Sequence, residues 1–234
     1  MTFSIHPVPG LPEIHPGDDL AALLADALAR AGLGPLAGDI LVVTHKVVSK
    51  AEGALARLEG DEEASYRRIA QEQAVEILRR RGDLIIARTR HGFICANAGV
   101  DRSNAAPGTA VLLPADPDRS AHGLRSALRH LTGVDVAVVI TDTFGRAWRR
   151  GLVDVAIGVS GLEAILDLRG TKDAQGRELK VTEVAVIDEI ASAADLAMGK
   201  AAGIPAALIR GLSLPRGEGR ATDLVRPAGE DMFR

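Results

Sequence analysis

The feature that most constrains the fold is a set of short apolar segments that are rich in β-branched residues. Six of them predict buried strands, at residues 39–43, 84–87, 134–140, 153–159, 181–187 and 206–209. Only 3% of the residues are aromatic, so valine, isoleucine, leucine and alanine must fill the core around these strands.

Four further segments have the apolar spacing that is typical of amphipathic helices, at residues 19–31, 62–81, 120–131 and 188–200. In the longest, Ile69, Val75 and Ile77 are the predicted core residues. Strands and helices do not alternate strictly, and residues 134–187 are mainly strand-like. This order predicts an α+β fold, with mixed sheets and flanking helices, rather than a doubly wound sheet. A length of 234 residues suits one module, with either one large core or two lobes.

Composition excludes several classes of protein. The net charge is −3 and no basic patch is concentrated in the sequence, which argues against a nucleic-acid partner. No apolar run approaches the roughly 20 residues of a membrane helix, and the N-terminus does not resemble a secretory signal. The single cysteine, Cys95, cannot form a disulfide within the chain. We therefore expect a cytoplasmic protein with no membrane or nucleic-acid partner.

The common nucleotide and metal motifs are absent from the sequence: it has no P-loop, no G-x-G-x-x-G after a strand, no H-E-x-x-H and no Cys-His zinc pattern. A bound nucleotide would need another kind of site. Two Gly-rich and charged segments, residues 169–177 and 213–221, predict flexible loops.

Three polar segments could carry chemistry. Residues 90–104 offer Asp101 and Asn104 as oxygen ligands, but alone they favour an Asx-stabilised turn. Residues 140–150 place Asp142 and Thr143 at a strand end, as oxygen donors for a hard metal, with arginines that could clamp phosphate. A capped turn with surface arginines explains that segment equally well. Residues 43–53 contain His45 and two lysines beyond a strand, which suits a polyphosphate but also an ordinary strand end.

Together these segments resemble, in order and over almost the whole chain, the coenzyme F420:L-glutamate ligase family. The most recognisable is NAGVDRSN at residues 97–104, and TDTFGR follows at residues 141–146. Other matching segments lie at residues 10–14, 17–20, 38–43, 48–53, 112–114, 116–118, 156–159, 176–179, 188–189, 198–200, 204–205, 224–227 and 231–234.

The resemblance implies a GTP-dependent ligase that joins L-glutamate to the deazaflavin F420 precursor, in its saturated or dehydro form. Some members add further γ-linked glutamates. It also implies an F420 ligase-like fold, an intertwined homodimer, and Mn²⁺ or Mg²⁺, often with K⁺. By position, the nucleotide-binding residues are Leu11, Pro12, Glu13, Ile14, His45, Lys50 and Asn104, and the metal-binding residues are Asp101, Asp142 and Thr143.

Three departures from the family pattern matter. Lys200 stands where archaeal members carry an acidic metal ligand, so a second metal site is not carried over, and the ammonium is expected near the phosphates instead. His45 stands where those relatives have a small hydroxyl residue. Some bacterial relatives continue into a flavin-binding reductase-like domain, which we do not expect here because the sequence ends at Arg234.

The implied mechanism passes through an acyl phosphate and releases GDP and phosphate. It needs no protein nucleophile, so no catalytic residue is assigned, and Glu13, His45 and Asp188 all remain candidates for a base. Two alternatives stay open: another nucleotide-dependent amide ligase on the same scaffold, and a non-catalytic nucleotide-binding protein.

Overall fold

A computed structural model describes residues 2–232. In chain order its elements are β1 (Ser4–Pro7), α1 (Leu20–Arg30), β2 (Ile40–Thr44), α2 (His45–Ala51), β3 (Leu55–Arg57), α3 (Glu62–Glu72), β4 (Ala74–Arg81), β5 (Leu84–Thr89), β6 (Ile94–Ala96), β7 (Thr109–Val111), α4 (Pro117–Thr132), β8 (Ala137–Arg146), β9 (Arg149–Ser160), β10 (Leu166–Asp167), β11 (Glu183–Val184), α5 (Val186–Met198) and β12 (Ala206–Arg210). This mixture of sheets and flanking helices confirms the predicted α+β class.

A five-stranded mixed sheet holds the main core, in the order β1-β12-β2-β8-β9. Strands β2 and β8 run parallel, and the other neighbours in the sheet are antiparallel. Residues 40–43 and 137–140 are almost completely buried. Continuous burial of this kind is typical of strands that are covered on both faces. Helix α1 packs on α4, and α4 and α5 both pack on β9.

A second, smaller hydrophobic cluster lies apart from the main core. It includes Ile69 and Ala70 of α3 and Ile85 and Ala87 of β5, which belongs to the three-stranded sheet β4-β5-β6. Two clusters are compatible with two lobes, although the predicted single module remains a prediction. Within residues 2–232, no helix has the length and apolar character to cross a membrane. Of the predicted family-like tail, Phe233 and Arg234 lie outside the described residues.

The predicted helix at residues 62–81 is wrong in its second half. Helix α3 ends at Glu72, and residues 74–81 form β4, which pairs with β5 across a tight turn that contains Gly82 at φ 58°. Ile69 is buried as predicted, but Val75 and Ile77 are 58% and 41% exposed. These β-branched residues fit a half-exposed strand, so hairpin pairing outweighs the helical propensity of their neighbours.

The predicted strand at residues 181–187 is mostly wrong as well. Only Glu183–Val184 form a short strand, and α5 already begins at Val186. Asp188 and Glu189 lie in the first turn of α5, where negative charge is favourable. Of the apolar run that resembled a strand, only Val186 and Ile187 are buried, and they form the start of a helix.

Close packing of α4 fixes the position of β9. A Cβ atom added at Gly158 would lie 2.4 Å from the carbonyl oxygen of Pro117, so the two backbones meet without room for a side chain. Asp118 strengthens the contact, because its Oδ1 accepts hydrogen bonds from the backbone N–H of Val159 at 2.9 Å and of Ala221 at 3.0 Å. Strand β9 also carries Asp154, which lies in the candidate site.

Candidate active site

A cavity of about 530 Å³ opens at the carboxyl end of β2 and beside the middle of β8. Strand β8 continues to Arg146, so Asp142 and Thr143 lie within the strand and not at its end, where the sequence placed them. Because these two strands are parallel, Thr44 and Thr141 lie side by side where the strands reach the cavity. In α/β structures, ligands commonly bind at such strand ends. Nine of the ten sequence-predicted site residues line this cavity: Leu11, Pro12, Glu13, Ile14, His45, Lys50, Asn104, Asp142 and Thr143.

Lys50 fastens the N-terminal loop to α2. The residue is only 7% exposed, and its Nζ donates a hydrogen bond of 2.5 Å to Oε1 of Glu13. A buried ammonium requires such a partner, because loss of water otherwise disfavours the charge. The side chain of Glu13 is itself 66% exposed, so in this ion pair the lysine is buried and the carboxylate lies in the open part of the cavity.

His45 lies behind Asp142. Its side chain is 1% exposed, with Nδ1 at 3.3 Å from Ser49 Oγ and Nε2 at 3.2 Å from Asp142 Oδ1. Nε2 and Oδ1 are within ion-pair distance, although they are not aligned as a hydrogen bond. His45 therefore lies against Asp142 in the wall of the cavity, and its nucleotide contact stays a prediction.

Asp142 stays ionised in this setting. Burial alone raises the pKa of its carboxyl group, but His45 and the backbone N–H of Thr143, at 2.7 Å, favour the charged form and leave the pKa below its ordinary value. The surroundings of Asp142 therefore favour its carboxylate form at the cavity.

Asp101 is the one predicted site residue that does not line the cavity. Its Oδ1 accepts the Ser103 N–H at 2.6 Å, which is the Asx turn that the sequence allowed, and its Oδ2 lies 2.8 Å from Nζ of Lys46. Burial raises the pKa of Asp101, but Lys46 and Ser103 outweigh burial, and the pKa falls below its ordinary value. Because Lys46 does line the cavity, Asp101 lies next to the site and contacts it through that lysine, and its metal-binding role stays a prediction.

The signature segment, residues 97–104, has an unusual backbone. Asn97, Ala98 and Asn104 all have positive φ angles, between 48° and 56°. Such conformations are uncommon for residues other than glycine and tend to concentrate at functional sites. Of the three, Asn104 lines the cavity.

Sequence reasoning missed Asp154, which is only 2% exposed. Its Oδ2 accepts a hydrogen bond from the Thr141 hydroxyl at 3.0 Å, and its Oδ1 accepts one from the Thr143 hydroxyl at 2.5 Å. Lys200 Nζ hydrogen-bonds Thr143 Oγ1 and lies 3.7 Å from Asp154 Oδ1. The sequence did offer a signal for Asp154, because it is a carboxylate inside the otherwise apolar segment 153–159, where a buried charge would need partners.

The donor chemistry of the cavity suits a hard cation. Asp142 and Thr143 offer oxygen atoms, which Mg²⁺ and Mn²⁺ prefer. Within residues 2–232, however, no group of three or more histidine, cysteine, aspartate or glutamate side chains is arranged to hold a metal ion. These residues therefore fit a cation that takes one or two protein carboxylates and completes its coordination with phosphate and water, as Mg²⁺ commonly does.

Comparison with known proteins identifies the family. A sequence model of the family described as F420-0:gamma-glutamyl ligase matches residues 10–211. The coenzyme F420:L-glutamate ligase of Methanopyrus kandleri is 47% identical over 252 aligned positions, which cover 100% of this chain and 98% of that protein. Proteins of the same name from Methanothermobacter thermautotrophicus and Archaeoglobus fulgidus are 43% and 42% identical, over 100% of this chain and 100% and 97% of their own lengths.

The cavity is thus built by segments that all fall inside the matched region, from the loop at Leu11 to Lys200 and Pro205. With the family match covering most of the sequence and the identities extending over its full length, this chain belongs to the F420-0:gamma-glutamyl ligase family.

Proposed function

We propose that this chain is a coenzyme F420:L-glutamate ligase, which forms an amide between L-glutamate and an F420 precursor in the cavity described above. The observation that carries the proposal is full-length identity to ligases of that name, at 42–47%. The geometry adds support, because the polar side chains of the cavity come from the segments that carry the family resemblance.

The proposed co-substrate is GTP. Amide formation needs an activated carboxyl group, and the cavity offers buried and half-buried cations for a polyphosphate, namely Lys46 and Lys50. The loop Leu11, Pro12, Glu13 and Ile14 would hold the nucleotide on one side of the cavity, and Asn104 on another. Lysine ammonium groups suit phosphate as point charges with several N–H donors.

The proposed metal is a single Mn²⁺ or Mg²⁺, with Asp142 and Thr143 as its protein ligands and Asp101 contributing from the margin. When bound, it would neutralise charge on the phosphates that react. K⁺ is a further proposed cofactor. The lowered pKa of Asp142 favours the ionised form that takes up a cation.

The proposed chemistry has two steps. An oxygen of the precursor's carboxylate attacks the γ-phosphorus of GTP, the bond to the bridging oxygen breaks, and GDP leaves. The amine of glutamate then attacks the acyl carbon, the carbon–oxygen bond to phosphate breaks, phosphate leaves, and the amine loses its proton. The lysines would place the phosphates for the first step, with no covalent bond to the protein, while Asp142 would hold the cation that neutralises part of their charge.

The three candidate bases differ in position. Asp188 does not line the cavity, and its Oδ1 accepts the Ala156 N–H at 2.8 Å. His45 is packed behind Asp142. Glu13 lines the cavity with an exposed carboxylate, so it is the candidate that an incoming amine can reach. An intertwined homodimer, which rests on the family resemblance, and a cytoplasmic location, for which the single cysteine argues, complete the proposal.

A direct product assay tests the proposal. Purified protein is incubated with the F420 precursor, L-glutamate, GTP and Mn²⁺, and the products are weighed by mass spectrometry. We expect a precursor heavier by one glutamyl residue, and no product without GTP. GTP cleavage with no glutamylated precursor would indicate another amide ligase, and GTP binding with neither product would indicate a non-catalytic nucleotide-binding protein.

A further inference from the structure

Lys200 follows the end of α5, and its side chain contacts two residues of the cavity wall. Its side chain is 59% exposed, yet its ammonium reaches back to the cavity wall, where it hydrogen-bonds Thr143 Oγ1 and lies 3.7 Å from Asp154 Oδ1. An exposed lysine normally samples many rotamers, and holding one of them costs conformational entropy. Two oxygen partners at the cavity offset that cost.

Asp154 provides the charge that keeps Lys200 in place. It lies opposite Thr143 in the pairing of β8 with β9, and it is nearly inaccessible to water. Within residues 2–232, its ion-pair partner is Lys200. A desolvated carboxylate strongly favours a nearby cation, because without one its burial is costly.

The hydroxyl of Thr143 connects the two charges in a fixed direction. A hydroxyl has a single proton, and Thr143 donates it to Asp154 at 2.5 Å. Toward Lys200 the same oxygen therefore acts as an acceptor, and one of its two lone pairs takes the N–H of the ammonium. A second hydroxyl, that of Thr141, fixes the other oxygen of Asp154 at 3.0 Å, so the carboxylate cannot turn away.

The Lys200 ammonium keeps an N–H donor that neither of its two partners uses. A lysine ammonium has three N–H groups. Thr143 and Asp154 account for at most two of them, which leaves at least one N–H group for a ligand in the cavity. The other two lysines of the cavity wall each engage a more exposed carboxylate, Glu13 for Lys50 and Asp101 for Lys46.

We propose that Lys200 binds the phosphates of the nucleotide with its remaining donor, and that Asp154 and Thr143 are the positioning residues that hold the ammonium there. The inference rests on the proposed function, because it requires that the cavity takes GTP. It adds a fixed protein cation to the phosphate site, so that part of the phosphate charge is neutralised without a divalent ion. Asp195 also lines this wall, and the third N–H would otherwise meet only water or that carboxyl group.

Nucleotide binding to the metal-free protein tests the role of Lys200. The dissociation constants of GTP and of guanosine are measured by calorimetry in EDTA for the unchanged protein and for Lys200→Met, Lys200→Arg and Lys180→Met. Lys180 is an exposed lysine outside the cavity and serves as the matched control. We expect Lys200→Met to weaken GTP at least tenfold and to leave guanosine within twofold. Lys200→Arg, which keeps the charge, should stay within about threefold, and Lys180→Met should change neither ligand.

The outcomes separate the inference from the proposed function. If Lys200→Met binds GTP within twofold of the unchanged protein, the ammonium does not meet the phosphates, while the ligase proposal stands. Equal loss of GTP and guanosine affinity would also overturn the inference, because it would show a general distortion of the cavity. If the unchanged protein binds no GTP with or without Mn²⁺, the proposed co-substrate fails and the inference fails with it.

A double-mutant cycle tests the positioning role of Asp154. If Asp154 holds the ammonium, Lys200→Met should weaken GTP by less than threefold in an Asp154→Asn background, because the lysine is no longer fixed there. The same tenfold loss in both backgrounds would refute that role. A thermal melt will show whether Asp154→Asn folds. If it does not, Thr143→Val, which removes the bridging hydroxyl, replaces it as the background in which the effect of Lys200→Met on GTP affinity is measured.

Discussion

Replacing Asp142 by asparagine should abolish ligase turnover and leave the chain folded. Asparagine has nearly the same shape and keeps an oxygen that can accept the Thr143 N–H bond, which is 2.7 Å long in the structure. It lacks the negative charge that faces His45 at 3.2 Å. The substitution therefore removes the charge at one point of the cavity and disturbs little else.

The two expected magnitudes differ enough to be separated. Leaving the buried Nε2 of His45 without its charged partner costs on the order of 1–3 kcal/mol of stability. For a chain of this size, where 1 kcal/mol shifts Tm by roughly 2–4 °C, that is a fall of about 2–12 °C. Loss of a carboxylate that holds a phosphate-clamping metal removes several kcal/mol from the transition state, about a thousandfold or more in rate.

The assay measures initial rates of glutamylated product at saturating GTP across a range of Mn²⁺ concentrations, beside a thermal melt of the same sample. Asp83→Asn is the matched control, because Asp83 is an exposed carboxylate that pairs with Arg67 outside the cavity. We expect the control to keep normal rates. Near-normal turnover of Asp142→Asn at ordinary metal concentration would refute the assignment of Asp142 as a metal ligand.

Three further predictions concern packing, the thiol and the metal. Gly158→Ala should lower stability by about 1–3 kcal/mol or more in a denaturant titration, because its Cβ would meet the carbonyl oxygen of Pro117 at 2.4 Å. Gly123 lies in α4, as Pro117 does, but has open space around it, so Gly123→Ala should raise stability by roughly 0.5–1 kcal/mol. Equal effects of the two substitutions would contradict the packing. Burial raises the pKa of the Cys95 thiol to about 12, so the native protein should resist iodoacetamide at pH 8 and react only when unfolded, and rapid native labelling would contradict this. Because Lys200 brings an ammonium to Thr143, a crystal structure with GDP and Mn²⁺ should contain one well-occupied protein-ligated metal per site; two full metals with Lys200 turned away would be the contrary result.

Much of the fold was predictable from local patterns. The strands at residues 39–43, 84–87 and 206–209 were confirmed because short β-branched runs in a buried sheet leave little alternative. The helix predicted through residue 81 failed because its second half pairs with a strand that comes later in the chain, and local propensity does not record that pairing.

The site shows the same division. The motif residues at 11–14, 50, 104 and 142–143 were found from sequence and do share one cavity. The partnership of Asp154 with Lys200 was not found, because the two residues lie in different elements and meet only through the packing of α5 on β9. The Asx turn at Asp101 was foreseen as an alternative, and only the fold shows that Lys46 is its partner.

Isotope transfer tests the proposed chemistry most directly. The precursor is prepared with oxygen-18 in its carboxylate and incubated with the protein, GTP, L-glutamate and Mn²⁺, and the phosphate products are then analysed by mass spectrometry. An acyl phosphate requires the carboxylate oxygen to remain on the transferred phosphorus, so we expect one label in inorganic phosphate, with GDP as co-product. Label in GMP, with release of pyrophosphate, would contradict γ-phosphoryl transfer, and with it the phosphate-binding roles of Lys50 and Lys200 and the metal-binding role of Asp142.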